Sequence, residues 1–348
     1  MNKLKNIPII YCMDSTGVAG GHRVIFEHLN GLKAKGYNVH LWALSNSTGW
    51  YKLNVPVQTF PHFFAMEKAL KIIEAVKVAT WWKTAMHVYN SVINNGKGWA
   101  AYFIQDIETS YYMNNPYAIN PEQQKRDVLN TYQRDFEVVT ENPWVTKELK
   151  KINSNLRITN VGIGINHDLY KPNDYLHKNK DLLMCARKNP LKNFDFGAGA
   201  YRIAKKKNPA IHLRLYGTEQ FPFPPEIEHI FVPLDPEVVE LYKNSRVFIS
   251  TSIHEGYNLT IVEAMACGCP VITTLADGNN HFCKHEENCL VVKHNDVEGL
   301  ANAILRLVED DALAEKLRIN GFKTAQEHKW KPVINKLEKV YKTLIGEI

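Results

Sequence analysis

Residues 250–274 have the sequence STSIHEGYNLTIVEAMACGCPVITT, and this stretch decides the fold. The apolar run directly before it predicts a buried strand, and residues 271–273 predict a second strand. Between the two strands we predict a helix over about 259–267. Asn258 suits its N-cap, because an asparagine side chain accepts from free backbone N–H groups, and Gly268 suits the position after its C-terminus. The stretch therefore predicts a strand–helix–strand unit of an α/β protein.

Two glutamates lie eight positions apart in this stretch. Glu255 precedes the predicted helix, and Glu263 lies inside it. The N-terminus of a helix favours an anion, and carboxylates accept hydrogen bonds from sugar hydroxyls. The residues therefore predict a site that holds an anionic group together with a sugar.

The tetrapeptide HEGY at 254–257, the second glutamate and the run AMACGCPV at 264–271 closely resemble the signature of retaining glycosyltransferases of family four, the glycosyl transferases of group one. The resemblance implies the GT-B fold, in which two Rossmann-like domains face a central cleft. It implies that Glu255 contacts the donor sugar and that Glu263 contacts the nucleotide ribose. The other donor-binding residues that it implies here are Gly256, Tyr257, Asn258 and Leu259. Two glutamates without this context would more often be solvated surface residues.

Composition sets the broad class of the protein. The chain has 348 residues, of which 45% are hydrophobic and 22% charged, as in an ordinary globular protein long enough for two domains. A formal charge of +6 suits an anionic ligand, but no block of lysine and arginine with interleaved aromatics suggests nucleic acid. The six cysteines lack metal-site spacing and no apolar run approaches a membrane span, which predicts a cytoplasmic protein with reduced thiols. Peripheral membrane contact stays open.

The N-terminal segment predicts a strand, a glycine-containing loop, a helix over 23–35 and a second strand over 37–44, which together indicate a parallel sheet. A nicotinamide-binding fold would require Gly-x-Gly-x-x-Gly and an acidic residue closing the second strand, and this chain has neither. The paired Gly20 and Gly21 match the first loop of the family-four glycosyltransferases. The resemblance places them near the donor phosphates and the acceptor.

The candidate acceptor residues come from two further predicted strands, 75–82 and 101–108. The resemblance implies that the N-terminal domain holds the acceptor, a glycan or a lipid-linked sugar. Trp81 and Trp82 could stack on a sugar ring or a lipid, and packing in the core is the alternative. Gln105 stands where many relatives have a histidine, and Asp106 follows it. The run from Tyr102 also resembles a subgroup that includes rhamnosyltransferases.

The C-terminal half predicts a second Rossmann-like set that begins with a strand over 181–186. Arg187 follows this strand and Lys192 comes five residues later. Open α/β sheets bind ligands at the carboxyl ends of their strands, so both cations can meet a diphosphate, as they do in the resembled family. The resemblance also places residues 232–235 against the nucleotide base.

Glu255, Arg187 and Lys192 are thus the candidate catalytic residues. No Asp-x-Asp metal motif occurs, and we expect neither a metal nor a cofactor besides the nucleotide-diphosphate sugar.

A glycine-containing linker predicts domains over 1–165 and 166–331, and the resemblance implies that helix 332–348 crosses back onto the first. The resemblance implies a metal-independent, retaining glycosyltransferase, with polysaccharide or cell-surface glycan synthesis as its setting. Two alternatives stay open: a nucleotide-sugar epimerase or hydrolase on the same fold, and a catalytically silent protein that binds glycan or acts as a scaffold.

Overall fold

The computed structural model of the chain describes residues 3–113, 118–173, 179–219, 227–231 and 234–348. The chain divides into two compact units. Unit 1 comprises Met1–Gly164 and Trp330–Ile348, and unit 2 comprises Ile165–Lys329. The boundaries predicted from the sequence lie within two residues of these.

Unit 1 is built on a seven-stranded sheet. Its strands are β1 (Ile9–Met13), β2 (Val39–Ala43), β3 (Val57–Thr59), β4 (Val76–Ala79), β5 (Trp99–Ile104), β6 (Glu137–Thr140) and β7 (Arg157–Asn160). The strand order is β3-β2-β1-β4-β5-β6-β7, and every pairing is parallel. The sequence of β1, IIYCM, is buried throughout, as expected for a strand covered on both faces. The order 3-2-1-4-5-6 is that of a Rossmann-like sheet.

Helices cover this sheet. They are α1 (Gly20–Ala34), α2 (Phe63–Lys71), α3 (Trp82–Asn90), α4 (Ser110–Met113), α5 (Pro121–Thr131) and α6 (Pro143–Ile152). Four side chains of α1 face the core, as predicted: Val24, Phe26, Leu29 and Leu32.

Helix α1 begins three residues earlier than predicted, so Gly20 and Gly21 lie in its first turn and not in the preceding loop. Ala19 has an extended backbone and serves as the N-cap. A Cβ on Gly21 would lie 3.1 Å from Oε1 of Gln105. Glycine is therefore suited to position 21 because another chain segment approaches closely, and not because a turn requires it.

Unit 2 repeats the plan with six strands. These are β8 (Asp181–Cys185), β9 (His212–Gly217), β10 (Glu228–Phe231), β11 (Val247–Ser250), β12 (Val271–Thr274) and β13 (Leu290–Val292). They pair in parallel in the order β10-β9-β8-β11-β12-β13, which is again the Rossmann-like order. The helices are α7 (Phe194–Lys207), α8 (Asp235–Lys243), α9 (Leu259–Ala266), α10 (Val297–Glu309) and α11 (Asp311–Ala325). Of the segment predicted to face the nucleotide base, residues 232 and 233 lie outside the described residues.

The last helix, α12 (Trp330–Leu344), belongs to unit 1 although it follows unit 2 in sequence, as predicted. Val333, Leu337 and Val340 are buried along one face of it. The hydroxyls of Tyr341 on α12 and Tyr11 on β1 lie 2.6 Å apart. Packing of an apolar helix face therefore returns the end of the chain to the first sheet.

Within each sheet all strands are parallel, so the loops that follow the strands lie at one edge of that sheet. In the order 3-2-1-4-5-6 the connections reverse direction between strands 1 and 4, and a crevice opens there. In unit 1 this crevice lies between β1 and β4, and in unit 2 between β8 and β11. Within the described ranges, no helix is long and apolar enough to cross a membrane.

Candidate functional site

The stretch that decided the fold forms the centre of unit 2. Helix α9 lies between β11 and β12, and Gly268 has a φ of +71° just past its end, as predicted. Asn258 is the N-cap residue, as predicted, but the prediction that its side chain caps the first N–H groups is wrong. Asn258 has a left-handed backbone, with φ 75°, and its side chain makes no capping hydrogen bond. Its Nδ2 instead donates to Oγ of Ser250 at 3.0 Å, which ties the helix start to the end of β11.

This difference bears on ligand binding. The first N–H groups of a helix have no partner within the helix, and a capping side chain would occupy one of them. The Asn258 side chain accepts from the Thr260 hydroxyl at 2.8 Å instead. The start of α9 therefore keeps its favourable environment for an anion, at the crevice where β11 ends.

Glu255 lies in the loop between β11 and α9, and both of its carboxylate oxygens have partners. The Lys192 ammonium donates to Oε2 at 2.6 Å, and the Ser252 hydroxyl donates to Oε1 at 2.6 Å. Burial alone would raise the pKa of Glu255, but Lys192 and Ser252 outweigh it and hold the pKa below its usual value. Glu255 is thus an ionised carboxylate of fixed orientation at neutral pH.

Lys192 reaches Glu255 because two loops are joined at the crevice. The loop after β8 carries Lys192, and its backbone carbonyl accepts from the Thr251 hydroxyl at 3.0 Å. The Ile253 N–H donates to the Leu191 carbonyl at 2.8 Å. These hydrogen bonds join the loop after β8 to the loop after β11. They bring together Lys192 and Glu255, which are 63 positions apart in sequence.

Arg187 lies directly after β8 at the same edge. Its positive charge contributes to the lowered pKa of Glu255, which places it near that carboxylate. The structure therefore brings Arg187, Lys192 and Glu255 together beside the start of α9. Two cations next to a helix N-terminus favour a diphosphate.

Glu263, the second motif glutamate, lies within α9. It is 8% exposed, and the Tyr242 hydroxyl of α8 donates to its Oε2 at 3.4 Å. The Tyr216 hydroxyl at the end of β9 lies 2.6 Å from that of Tyr242. Two tyrosines from other elements thus fix this carboxylate near the carboxyl end of the sheet.

Tyr257 and the neighbouring Gly278 hold the motif loop in place by packing within unit 2. Tyr257 is 7% exposed, stacks on Phe282, and its hydroxyl lies 2.8 Å from Nε2 of His328. A Cβ on Gly278 would lie 2.4 Å from the Glu255 carbonyl oxygen, so a glycine is needed where that turn meets the loop. The Tyr257 side chain is thus engaged within unit 2, and the backbone of 256–259 leads into α9.

Unit 1 has a pocket of about 380 Å³ at its own crevice. Among the candidate residues Gly21, Trp81, Gln105 and Asp106 line it, together with residues that follow β1, β4 and β5: Met13, Asp14, Ser15, Ala19, His22, Ile25, Thr80, Lys83, Glu108 and Tyr111. Oε1 of Gln105 is buried and has no hydrogen-bond partner among the residues that the structure describes. One residue of the pocket lining thus carries a hydrogen-bond acceptor without a partner among these residues.

Trp82 is not part of this lining. It begins α3 and packs against the hydrophobic core, and its Nε1 donates to the Tyr112 hydroxyl at 2.7 Å. The alternative of core packing therefore applies to Trp82, because helix geometry turns adjacent side chains in different directions. Gly20 also lies outside the lining.

Sequence reasoning missed Glu108, which is 2% exposed at the edge of this pocket. Its pKa is raised to about 8, because burial and the nearby Asp106 outweigh the hydrogen bond that it accepts from Tyr102 at 2.7 Å. The signal was present, since two acidic residues follow β5 two positions apart. Ser252 and Tyr242 were also missed, because hydroxyl residues in loops and helices carry no motif of their own.

No group of three His, Cys, Asp or Glu side chains that could hold a metal ion occurs in the described part of the chain.

Comparison with known proteins extends these observations. The family model described as "Glycosyl transferases group 1" matches residues 171–324, which include Arg187, Lys192, Glu255 and Glu263. An uncharacterized glycosyltransferase of Methanocaldococcus jannaschii is 27% identical over 220 residues, which cover 58% of each chain. A probable sucrose-phosphate synthase of Arabidopsis thaliana is 33% identical over 117 residues, 33% of this chain. The match spans only 10% of that relative's length.

One solved structure is similar to this chain over nearly its whole length. Anabaena HepE in complex with UDP and glucose superimposes with a TM-score of 0.82 at 15% identity, covering 97% of this chain and 99% of HepE. Identity at this level shows the fold alone. Residues 171–324 thus match the model of the family described as glycosyl transferases group 1, and the chain has the GT-B fold, with one Rossmann-like sheet in each unit.

Proposed function

We propose that this chain transfers a sugar from a nucleotide-diphosphate sugar to a hydroxyl of a glycan or a lipid-linked acceptor. The observation that carries the proposal is the ion pair of Lys192 and Glu255, 2.6 Å long, between the loops that follow β8 and β11. A cation for the diphosphate and a carboxylate for the sugar lie side by side there. The structure of HepE in complex with UDP and glucose supports a donor of this class.

The chemistry that this site must supply is stabilisation of the departing diphosphate. An ammonium has three N–H donors, and Lys192 uses one of them on Glu255. The others, with Arg187 and the N–H groups at the start of α9, are available for phosphate oxygens. We propose that these fixed donors replace a metal ion and that the enzyme needs no cofactor besides its donor. Preorganised donors of this kind act where charge develops in the transition state.

Glu255 serves the sugar side of the same donor. A carboxylate has about four lone-pair sites, and Lys192 and Ser252 occupy two of them. The remainder can accept hydrogen bonds from donor-sugar hydroxyls. We propose transfer with retention: the bond from the anomeric carbon to phosphate breaks, the acceptor oxygen bonds to the same face, and its proton passes to the leaving phosphate.

The acceptor, in this proposal, lies in the pocket of unit 1. Gln105 lines that pocket in the position where the resembled family has a histidine, so we assign it no role in proton transfer. The six cysteines are free thiols, which suits a reducing compartment, and we propose the cytoplasm as the place of reaction. The product is, in this proposal, a polysaccharide or another cell-surface glycan.

An epimerase or hydrolase on the same fold would use the same donor site, and a silent glycan-binding protein would keep the pocket alone. The half-buried, ionised Glu255 beside two cations favours a catalytic site over a silent one. Removing three charged groups partly from water is costly, and a binding or scaffold role does not require it.

The first test identifies the donor and then the product. A nucleotide that binds only the folded protein raises its melting temperature, so a panel of UDP, GDP, ADP, CMP and dTDP identifies the base. The matching sugar nucleotides are then incubated with candidate acceptors after EDTA treatment and desalting. We expect a new glycoside of retained anomeric configuration. Release of free sugar or an epimer as the sole product, or turnover that needs added Mg²⁺ or Mn²⁺, would contradict the proposal.

Glu263→Ala should weaken binding of the preferred nucleotide by about 1.5–3 kcal/mol, the range for a hydrogen bond to a charged group. The reason is the loss of a carboxylate that can accept from the ribose hydroxyls. Isothermal titration calorimetry measures the change. Glu240→Ala, an exposed position on α8, is the matched control. Unchanged affinity in a folded Glu263→Ala protein removes Glu263 from the nucleotide site.

A further inference from the structure

The pocket of unit 1 has more acidic than basic side chains in its lining. Three carboxyl groups line it, those of Asp14, Asp106 and Glu108. Within the described lining, Lys83 is the one lysine or arginine. Its ammonium lies 5.7 Å from the centroid of the Trp82 ring, and Trp82 is not a lining residue.

The state of Glu108 agrees with an excess of acidic groups. Burial raises its pKa to about 8, and the nearby Asp106 contributes to this rise. The Tyr102 hydroxyl donates to Oε2, and the Glu108 N–H donates to the Tyr132 hydroxyl at 3.1 Å. Near neutral pH this carboxyl therefore tends to hold a proton. An additional negative charge beside it would face the same unfavourable environment.

The same lining offers hydrogen-bond acceptors and an aromatic surface. Carboxyl oxygens and the buried, unpartnered Oε1 of Gln105 accept hydrogen bonds. Trp81 packs edge-on against Tyr111 with ring centroids 5.6 Å apart, and both rings line the pocket. Groups that suit such a lining donate hydrogen bonds around an apolar face, as the hydroxyls and ammonium groups of a sugar ring do. The volume of about 380 Å³ is at the small end of ligand sites, which run from about 300 to 1,000 Å³.

We propose that this pocket selects an acceptor whose terminal sugar carries no anionic group, that is, a neutral or amino sugar, and discriminates against uronic acids and phosphorylated sugars. The inference rests on the proposed function, because it assigns the acceptor class of that reaction. Asp106 and Gln105 accept from the sugar donors, Trp81 and Tyr111 contact its face, and Asp14 with Asp106 repels an acidic substituent. Like-charge contact is an effective way to exclude wrong partners.

The test uses methyl glycosides in matched neutral, 2-amino and uronic forms, in the gluco, galacto and manno configurations. Binding to the full chain is measured by ligand-observed NMR without nucleotide, and transfer is measured with the preferred donor. We expect the uronic member of the recognised series to bind at least about tenfold more weakly than its neutral counterpart. Asp14→Asn and Asp106→Asn should narrow this difference several-fold, because each removes a negative charge that repels the uronic acid. Each variant keeps the Oδ1 that accepts from the next backbone N–H, so the local structure should be retained.

Glu122→Gln, an exposed change on α5, is the matched control and should leave the difference intact. Equal or stronger binding of the uronic form, no binding in any of the three series, or no effect of either asparagine variant would overturn the inference. Because sugar binding is measured without nucleotide, it stands apart from the test of the proposed function. That function fails if no nucleotide raises the melting temperature, whatever the sugars do.

Discussion

Lys192→Ala should lower turnover on the order of 10²–10³-fold, the usual effect of removing one preorganised donor that faces developing charge. The ammonium lies 2.6 Å from Glu255 at the crevice between β8 and β11, where the departing diphosphate would lie. Without it, the diphosphate loses a fixed cation and Glu255 loses its main partner. Initial rates at saturating donor and acceptor measure the effect.

The same substitution should change the pH dependence. Lys192 is the largest influence that lowers the pKa of Glu255 against burial, so its removal lets that pKa rise. A group with a raised pKa takes up its proton at higher pH, and the residual activity should therefore fall earlier on acidification than in the unmodified enzyme.

Lys206→Ala on the exposed face of α7 is the control, since it removes an equal charge from unit 2 away from the crevice. Lys192→Arg should recover part of the activity. Turnover within about threefold of normal in Lys192→Ala would remove this residue from the mechanism.

The sequence alone predicted the elements that depend on regular patterns. An apolar run before the motif, a helical pattern over about 259–267 and the glycine at 268 located α9 between two strands, because each of these signals is local. The apolar face of α12 predicted an amphipathic helix, and the resemblance implied its return to unit 1. Two parallel Rossmann-like sheets follow from alternating strands and helices.

The errors occurred where one residue had two local options or where distant contacts decide. The Asn258 side chain can bond to the first N–H groups of α9 or to neighbouring side chains, and the hydroxyls of Ser250 and Thr260 favour the second. Gly20 and Gly21 can form a loop or a first helical turn, and the close approach of Gln105 to Gly21 is not visible in sequence. The pairing of Lys192 with Glu255 depends on two loops that meet only in the folded sheet. The pocket of unit 1 has the same origin, since three separate strand ends form it.

Glu255→Gln should lower turnover on the order of 10²–10³-fold and leave affinity for the free nucleotide nearly unchanged. The glutamine keeps an oxygen for the Ser252 hydroxyl, but the amide nitrogen that replaces the other oxygen cannot accept from Lys192. Donor-sugar hydroxyls then lose an ionised acceptor. A nucleotide without its sugar offers Glu255 nothing to bind, so calorimetry with the nucleotide and rates with the intact donor should diverge.

Arg187→Ala is the comparison that gives this result its meaning. Arg187 is proposed to meet the diphosphate, which nucleotide and donor share, so both affinity and turnover should fall. Glu298→Gln, an exposed glutamate in the first turn of α10, controls for charge and should change neither. If Glu255→Gln weakens nucleotide binding as much as it slows transfer, the Glu255 carboxylate acts through Lys192 on the diphosphate rather than on the sugar. If it transfers sugar at a near-normal rate, the first glutamate of the motif has no part in the chemistry, and the sugar is held by other groups.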